Sequence, residues 1–563
     1  MVTNKYITRI ASVIMAAAVI LCLMASLFSD KLQEVYGNNA VTMKYESKLF
    51  NTDQIMDIDI LMDEDDWNNM LENAISEEYY SCNVVVNGKT FYSVGIRPKG
   101  NTSLSSIAND PDTDRYSFKL EFDHYIEGQT CYGLDKLILN NNYADATNMK
   151  EAIVYDMYQY LGVDASLYNY AKISVNGDYQ GVYLALEAVE DSFMLRNYGT
   201  ENGNLYKPES MGVGGGVDGK DGDGWQMGEK PDGEDFPQKG EMPDGEDFPQ
   251  MGEAPNGEAA DIKMGIMGGN GGSDLNYTDD DLDSYSTIWD GEITDTDKKD
   301  HKRVVEALKN ISEGTDLETY MDVDNILKYM AVHTFVVNDD SLSGTMAHNY
   351  YLYEYNGKLN ILPWDYNLSF GGMSMGGKMG GQSLGATSVI NDAIDMPFSI
   401  TDFFDALLEN EEYLEQYHGY LNELVEKYVN GGEFEKTYER IRSQIDDLVG
   451  NDPTAFYSYE EYEEAANMLI EVVQLRAKSV SGQLAGTIPS TDEGQQQDSS
   501  NLIDGSDIDL SVMGSFSGGG GGNEGQGKDN GFAGTPQPFD AGDVSPISEE
   551  KADLQDSNQD SVK

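Results

Sequence analysis

The side chains with the clearest chemical potential surround a predicted β-hairpin in the middle of the chain. Residues 350–355 and 358–362 are apolar runs of strand-like composition, and the dipeptide Asn356-Gly357 between them is a strong hairpin signal. A two-residue turn makes the strands antiparallel, so residues entering the first strand lie beside residues leaving the second. The open end of the hairpin is therefore where polar side chains from both flanks meet.

Carboxylates and an amide are concentrated at that open end. Asn349 precedes the first strand, Asp365 follows the second, and Asp339 and Asp340 lie a short loop earlier. Oxygen ligands of this kind suit a hard divalent cation, although the same residue types are also common in loops because they cap and turn the backbone. Strict alternation would put Asn349 and Asp365 on opposite faces, so a shared ion requires a bulge or a frayed strand end.

A cationic stretch lies upstream in a chain that is poor in basic residues. Arg97, Lys99, Arg115 and Lys119 fall within a short segment, and residues 116–122 alternate as a strand that projects Lys119 to one face. The glycine- and hydroxyl-rich loop after Lys99 offers backbone N–H groups that are able to hold an anion. A solvated strand edge protected by lysines explains the same residues without a ligand.

The overall charge excludes one broad class of partner. The chain has 563 residues, with 36 basic and 100 acidic side chains and a formal net charge of −64. Binding to nucleic acid requires clustered Lys and Arg, and the sequence has no dense cluster of them, so nucleic acid is excluded as a partner. The acidic charge favours solubility and, secondarily, a basic protein partner.

The amino terminus predicts a membrane anchor. Lys5 and Arg9 precede an uncharged and mostly apolar run over residues 10–28, which is near the length of a membrane-spanning helix. Positive charge before the span places residues 1–9 in the cytoplasm and the main domain outside it, with residues 29–50 as a stalk. A cleaved secretory signal, which would release the protein, is the alternative.

The remainder of the chain divides by composition into four parts. Residues 51–210 alternate in the manner of strands and residues 275–484 have the apolar spacing of helices. This predicts an α+β fold with a β-rich N-terminal half and a helical C-terminal half. Residues 211–274, rich in Gly, Met and acidic side chains, and the acidic tail 485–563 are predicted to be disordered, because they cannot bury enough apolar surface.

The cysteine and histidine residues bear on whether the chain has a disulfide and whether it has a zinc site. Outside the predicted anchor, Cys82 and Cys131 are either a disulfide pair or buried free thiols. The five histidines are scattered along the chain and no Cys-x-x-Cys array occurs, so a zinc site has no support.

Six motifs in order resemble those of one family across roughly residues 55–484. Each is short, and their order along the chain makes the set specific. The chain resembles the CotH family, spore-coat-protein-H-like proteins with an atypical protein-kinase-like fold. The motifs are Arg97-x-Lys99-Gly100-Asn101-Thr102-Ser103, Phe118-Lys119-Leu120-x-Phe122, Asn148-Met149-Lys150-Glu151-Ala152, Val175-Asn176-Gly177-x-Tyr179-x-Gly181-x-Tyr183-x-x-x-Glu187, Gly203-Asn204-Leu205-Tyr206-Lys207, and Asn349-Tyr350-Tyr351-Leu352-Tyr353 with Ile361-Leu362-Pro363-Trp364-Asp365.

The resemblance implies a two-lobe, protein-kinase-like arrangement and assigns roles to the hairpin residues. In kinases a catalytic Asp precedes a metal-binding Asn, and a second metal-binding Asp follows a short hairpin. By resemblance, Asp340 orients or deprotonates the acceptor hydroxyl, while Asn349 and Asp365 hold Mg²⁺ or Mn²⁺ against the phosphates of ATP. Asp340 is separated from Asn349 by eight residues, where an ordinary kinase has four, so Asp339 is an alternative catalytic residue.

The resemblance also assigns the ATP pocket. Lys119 resembles the phosphate-binding lysine, with Glu151 as its partner on the following helix, and Arg97 and Glu187 are further residues of the nucleotide site. The chain departs from ordinary kinases because it has no His-Arg-Asp, no Asp-Phe-Gly and no regular glycine-rich ATP loop.

Two functions from different classes follow from the resemblance. The first is a membrane-anchored protein kinase that transfers the γ-phosphate of ATP to Ser or Thr of surface or spore-coat proteins. The alternative is a non-catalytic surface or coat scaffold, or an adhesin, built on the same fold.

Overall fold

The computed structural model describes residues 40–209, 271–344, 346–373, 385–395, 397–398 and 400–516, all of which belong to one compact unit. The predicted anchor at residues 10–28 and most of the predicted insert lie outside these ranges. No helix within the ranges is long and apolar enough to cross a membrane.

The strands of the described ranges form two sheets. In chain order they are β1 Met56–Leu61, β2 Tyr80–Val86, β3 Lys89–Lys99, β4 Ser117–Glu121, β5 Lys136–Asn140, β6 Tyr168–Val175, β7 Asp178–Glu187, β8 Asn204–Tyr206, β9 Tyr350–Tyr355 and β10 Lys358–Pro363. The first seven form a closed barrel in the order β1-β2-β3-β4-β5-β7-β6, which parallel pairing of β1 with β6 completes. The other three form an antiparallel sheet in the order β10-β9-β8.

Most of the helical residues follow residue 285. The helices are α1 Lys44–Lys48, α2 Glu64–Glu72, α3 Thr102–Ala108, α4 Lys150–Leu161, α5 Asp191–Tyr198, α6 Ser286–Asp290, α7 Lys298–Ser312, α8 Leu317–Tyr320, α9 Val323–Val336, α10 Ala386–Ile390, α11 Asp405–Leu408, α12 Glu411–Glu423, α13 Glu433–Val449, α14 Tyr459–Leu484 and α15 Asp492–Gln497, with 3₁₀ turns at Ala74–Ser76, Leu282–Tyr285 and Leu510–Met513 and a π-helical segment at Leu424–Val429. The predicted α+β class, with a β-rich first half and a helical second half, is confirmed. The two-lobe kinase-like arrangement stays a prediction.

Alternation along the strands separates the barrel interior from its outer face. Ile96 on β3 pairs with Leu120 on β4, and both side chains are fully buried in the core of the barrel. Arg97 and Lys119 are the next pair in the register, so they share the opposite, outer face. The outer face of β3 and β4 therefore carries both cations, and each is buried there in an ion pair with a glutamate.

The predicted stalk over residues 29–50 is wrong at its C-terminal end. Helix α1 lies within that range, and the side chain of Tyr45 is fully buried, where its hydroxyl donates a hydrogen bond to Glu187. Burial of this aromatic ring makes the segment part of the folded unit. The same holds for the end of the predicted insert, since the Tyr350 hydroxyl donates to the buried backbone carbonyl of Ser273 at 2.6 Å.

The predicted start of the disordered tail at residue 485 is also wrong. Residues 485–516 include α15 and the 3₁₀ turn at Leu510–Met513, where Met513 is fully buried. The backbone N–H of Phe516 donates to the carbonyl of Gly372 at 3.0 Å, and that of Ala146 donates to the carbonyl of Met513 at 3.2 Å. Sparse apolar residues and backbone hydrogen bonds thus fold a segment whose polar composition indicated disorder.

The two cysteines in the described ranges are free thiols. Cys82 and Cys131 are both buried, and no bond joins them. Of the two alternatives that the sequence left open, the buried-thiol interpretation is correct.

Candidate active site

Helix α9 delivers the chain into the loop that carries Asp340. The helix ends at Val336, and Val337 adopts the left-handed conformation with φ of 49°, where its N–H donates to the carbonyl of His333. This turn redirects the backbone so that Asn338 is buried while Asp339 is exposed. The loop then runs to β9.

The ends of the hairpin carry Asn349 and Asp365 out of the strand ladder. Strand pairing runs from Lys358 opposite Tyr355 to Pro363 opposite Tyr350, as the Asn-Gly turn predicts. Beyond these pairs Asn349 has φ of 59° and Asp365 has φ of 60°, a left-handed conformation that Asn and Asp tolerate better than most residues. Both ends are therefore frayed, which removes the objection that alternation places the two side chains on opposite faces.

The loop and the hairpin bring Asp340 and Asn349 together. The Asn349 amide donates to the Asp340 carbonyl at 2.7 Å and to its carboxylate at 3.1 Å. His348 Nε2 lies 2.9 Å from the other carboxylate oxygen of Asp340. Burial alone would lower the pKa of His348, but the hydrogen bond and charge of Asp340 outweigh it and raise that pKa. Asp340 is thus held by two residues, whereas its neighbour Asp339 lies at the exposed side of the loop.

Asp365 lies in an electrostatic field of both signs. Burial raises the pKa of its carboxyl and the negative charge of Asp340 raises it further, while Lys99 and Lys207 lower it. Two neighbouring carboxylates whose charge is only partly compensated by lysines are an arrangement that a bound cation stabilises.

Glu151 adds a third carboxylate beside this pair. It occupies the first turn of α4, which Asp145 fixes by accepting the backbone N–H of Lys150 at 3.0 Å. Asn140 donates to Glu151 Oε2 at 2.8 Å, whereas the buried Oε1 has no hydrogen-bond partner among the described residues. Burial and the charge of Asp365 raise the pKa of Glu151 to about 8.

Lys99 is a candidate site residue that the sequence-based assignment left out. Its Nζ lies 3.3 Å from Asn140 Oδ1, so Asn140 bridges Lys99 and Glu151, and it stands 5.5 Å from the centre of the Trp364 ring. Lys99 also lowers the pKa of Asp365, which places it on the same side of the site. The signal was available, because two-residue alternation puts Lys99 on the same strand face as Arg97.

Lys119 and Arg97 lie on the outer barrel face in ion pairs of their own. Lys119 Nζ is 2.9 Å from Glu190, so the pairing predicted between Lys119 and Glu151 is replaced by one with Glu190. Arg97 forms an ion pair with Glu77. Burial alone would raise the pKa of Glu190, but Lys119 and Lys136 outweigh it and lower that pKa. The assignment of Lys119 and Arg97 to the ATP pocket stays a prediction.

Glu187 stands apart from the other predicted residues. Its side chain is fully buried and accepts hydrogen bonds from Arg196 at 2.6 and 2.9 Å, from the Tyr45 hydroxyl and from the Leu167 N–H at 3.1 Å. These donors occupy both carboxylate oxygens. None of the hydrogen bonds described for Glu187 links it to Asp365, and its assignment to the ATP pocket stays a prediction.

The donor set at the hairpin fits a hard divalent cation. Within the described ranges no cluster of three or more His, Cys, Asp or Glu side chains has metal-binding geometry. The oxygen donors available are the carboxylates of Asp340 and Asp365 and the amide of Asn349. Asn338, whose Nδ2 donates to the Asp365 carbonyl at 3.4 Å, has a buried Oδ1 without a partner in these ranges, as Glu151 Oε1 does. Unsatisfied buried oxygens beside two carboxylates suit Mg²⁺ or Mn²⁺, with water completing the ligand shell.

Comparison with protein families identifies the class to which this site belongs. The model of the family described as CotH kinase protein matches residues 96–480, more than half of the chain, and the chain therefore belongs to the CotH family. The family resemblance inferred from the motifs is confirmed. Comparison with curated proteins gave no match. The matched range begins within β3 and ends within α14, so it includes the hairpin and omits residues 485–516.

Proposed function

We propose that the protein is a kinase that transfers the γ-phosphate of ATP to Ser or Thr hydroxyls of protein substrates. The observation that carries the proposal is the convergence of Asp340, Asn349 and Asp365 at the frayed end of the hairpin, with Glu151 and Lys99 beside them. Phosphoryl transfer requires a residue that positions the nucleophile and residues that hold the metal ion, and Asp340, Asn349 and Asp365 would supply them. Membership of the CotH family supports a kinase-like protein.

Asp340 is the residue that orients the acceptor hydroxyl and accepts its proton. In the proposed step the hydroxyl oxygen bonds to the γ-phosphorus as the bond between that phosphorus and the bridging oxygen of ADP breaks. The hydroxyl proton passes to Asp340, whose carboxylate is oriented by His348 and Asn349. Positioning of the nucleophile and neutralisation of phosphate charge supply most of the rate enhancement in such reactions.

Asp365 and Asn349 are the residues that would hold Mg²⁺ or Mn²⁺. The bound cation would neutralise the charge on the phosphate oxygens. Lys99 and Lys207 provide further positive charge near Asp365, and Lys99 is the stronger candidate for a phosphate contact because Asn140 links it to Glu151. The predicted roles of Lys119 and Arg97 at the nucleotide are part of the same proposal.

The proposal includes a place of action outside the cytoplasm. Residues 10–28 would anchor the chain in a membrane, and the substrates would be surface or spore-coat proteins. The acidic composition of the chain, with 100 acidic against 36 basic side chains, favours basic regions around the acceptor.

One observation favours the alternative of a non-catalytic scaffold. Lys119 and Arg97, two cations predicted to meet the nucleotide, form ion pairs with Glu190 and Glu77. In a scaffold these pairs would be permanent features of the barrel surface, whereas in a kinase a nucleotide must compete with them or use Lys99.

The test is phosphate transfer by the purified full-length chain. It is incubated with γ-labelled ATP, Mn²⁺ and a casein-like Ser/Thr-rich protein, and nucleotide binding is followed in parallel as a rise in melting temperature. Transfer that Asp340→Asn abolishes and Asp339→Asn retains would support the proposed base. Absence of both transfer and a nucleotide-dependent rise in melting temperature would leave the scaffold as the function.

A further inference from the structure

A buried histidine connects the two acidic loops of the proposed site. His333 lies in the last turn of α9 and is 2 % exposed. Its Nε2 lies 2.8 Å from Ser343 Oγ, in the loop that carries Asp340. Its Nδ1 lies 3.1 Å from the hydroxyl of Tyr366, the residue that follows Asp365. One imidazole ring thus bridges the segments that bear the two carboxylates.

The hydroxyl partners fix the direction of the hydrogen bonds. Two hydroxyls face Nε2: Ser343 Oγ at 2.8 Å and Ser341 Oγ at 3.3 Å. Both donate to the carbonyl of Asn338, at 2.9 and 3.2 Å respectively. With both hydroxyl protons directed to that carbonyl, the ring proton is on Nε2, and Ser343, the nearer hydroxyl, accepts it. Nδ1 is then an acceptor for the Tyr366 hydroxyl, which in turn accepts from the Tyr158 hydroxyl at 2.6 Å. The result is a chain of hydrogen bonds, which we call the hydroxyl–imidazole chain: Tyr158, Tyr366, His333, Ser343 and the Asn338 carbonyl, with Ser341 beside Ser343 at its last step.

The environment of the ring maintains the neutral form that this chain requires. His333 stacks on Phe398 with ring centres 4.9 Å apart and lies 5.5 Å from the ring of Tyr329. Burial lowers the pKa of His333 to about 3. A neutral imidazole has one donor and one acceptor nitrogen, which is the pair of functions that Ser343 and Tyr366 use.

The same chain reaches the helix that carries Glu151. Tyr158 is in α4, two turns after Glu151, and its ring packs against the ring of Tyr366 at 5.4 Å in an edge-on arrangement. Movement of the Asp340 loop relative to Asp365 or α4 would therefore break a buried hydrogen bond. Leaving a buried donor or acceptor unsatisfied costs about 1 to 3 kcal/mol, so the chain resists such movement.

We propose that His333 is a positioning residue that fixes the distance between Asp340 and Asp365 through the hydroxyl–imidazole chain. The role in catalysis rests on the proposed kinase function, whereas the mechanical role does not. The alternative is that His333 contributes only to core packing. A phenyl ring would then replace the imidazole with little loss of activity or stability. The two interpretations predict different results when the ring nitrogens are removed and the ring shape is kept.

The experiment uses the full-length chain with His333→Phe, which retains the ring and removes both nitrogens. We expect kcat to fall about 100-fold while the KM for ATP changes by less than about twofold, because misplacement of about 1 Å costs that much in rate. His333→Gln, which restores a donor and an acceptor, should recover part of kcat. His418→Phe is the matched control, since His418 pairs with Asp395 elsewhere in the helical part, and it should leave kcat unchanged.

Amide hydrogen exchange supplies a readout that does not depend on activity. In His333→Phe, peptides spanning residues 338–349 and 364–373 should both exchange faster, whereas peptides from the barrel should not. Unchanged exchange in both peptides would overturn the proposal, whether or not the wild-type chain transfers phosphate. Faster exchange with an inactive wild-type chain would retain the positioning role and remove the kinase function. In an active chain, unchanged kcat in His333→Phe would also overturn the proposal.

Discussion

Glu151 and Glu187 are two buried glutamates that the family resemblance assigns to the same nucleotide pocket, and the structure gives them different environments. Glu187 accepts from Arg196, Tyr45 and a backbone N–H, so its charge is compensated and its oxygens are occupied. Glu151 accepts a hydrogen bond from Asn140, while its Oε1 has no partner within 3.5 Å in the described ranges, and Asp365 is a neighbour of like charge. Burial and the charge of Asp365 raise the pKa of Glu151, and they outweigh Asn140, the charge of Lys99 and the backbone of Tyr366, which lower it. Both are acidic and buried, and only one is left incomplete.

The comparison separates two reasons for burying a carboxylate. A carboxylate with donors on both oxygens contributes to the fold, because removing it would leave its partners unsatisfied. A carboxylate that is short of donors and close to another carboxylate destabilises the fold and persists where a ligand compensates it. Glu187 belongs to the first class and Glu151, with Asp365, to the second.

The largest expected effect is a loss of stability when Glu187, the glutamate with donors on both oxygens, is changed. Glu187→Gln leaves Arg196 buried without its counter-charge, and breaking a buried ion pair in this way costs about 3 to 5 kcal/mol. The free energy of unfolding, measured by urea denaturation, should fall by that amount. Glu151→Gln, measured alongside near pH 7, should not lower it. Equal losses in the two variants would contradict the distinction drawn between them.

The next effect concerns the site itself. Asp365→Asn should reduce phosphate transfer by about 100-fold to 1,000-fold, the usual cost of losing one group that stabilises transition-state charge. Its free energy of unfolding should not fall, because burial and Asp340 already disfavour the charged form of Asp365. The measurement is kcat with Mn²⁺-ATP together with denaturation of the metal-free protein. A variant that is destabilised and still active would place Asp365 in the structural class.

The local signals explain why the hairpin was predictable from sequence. Asn356-Gly357 fixes a two-residue turn, and the strand register follows from it without information from the rest of the chain. The convergence of Asp340, Asn349 and Asp365 depends in addition on left-handed backbone at Asn349 and Asp365. Side-chain alternation showed that a bulge or a frayed strand end was needed, but it did not show at which residues the backbone would depart from the strand.

Long-range contacts explain what was missed. Barrel closure depends on parallel pairing of β1 with β6, with Met56 opposite Ala171, and a pairing over such a separation has no local sequence signature. The ion pair of Lys119 with Glu190 is likewise a contact between residues far apart in the sequence. Residues 485–516 have a polar composition typical of disorder, yet a few buried side chains such as Met513 attach them to the fold.

The pH dependence of stability sharpens the comparison further. The pKa of Glu151 is raised from its ordinary value of 4.5 to about 8 in the folded protein, so the folded state binds the proton more tightly than the unfolded state. The contribution of Glu151 is therefore fully present below pH 4.5 and is lost as the pH rises to about 8, with a slope of up to about 1.4 kcal/mol per pH unit. Glu151→Gln should remove this slope in metal-free protein. Identical pH profiles for the variant and the wild type would show that Glu151 is compensated, as Glu187 is.

The smallest expected effect asks which lysine belongs with Glu151. Lys99 reaches Glu151 through Asn140 and lowers the pKa of Asp365, while Lys119 pairs with Glu190. Lys99→Met should therefore raise the Kd for ATP about tenfold, equivalent to about 1.4 kcal/mol, and Lys119→Met should raise it less. Titration of both variants with ATP in a binding assay provides the measurement. A larger effect from Lys119→Met would mean that the nucleotide displaces Glu190 and uses the lysine that the family resemblance assigns, so that a fully paired side chain also serves the ligand. The distinction between carboxylates with and without a full set of donors would then hold for Glu151 and Glu187, and it would not extend to the two lysines.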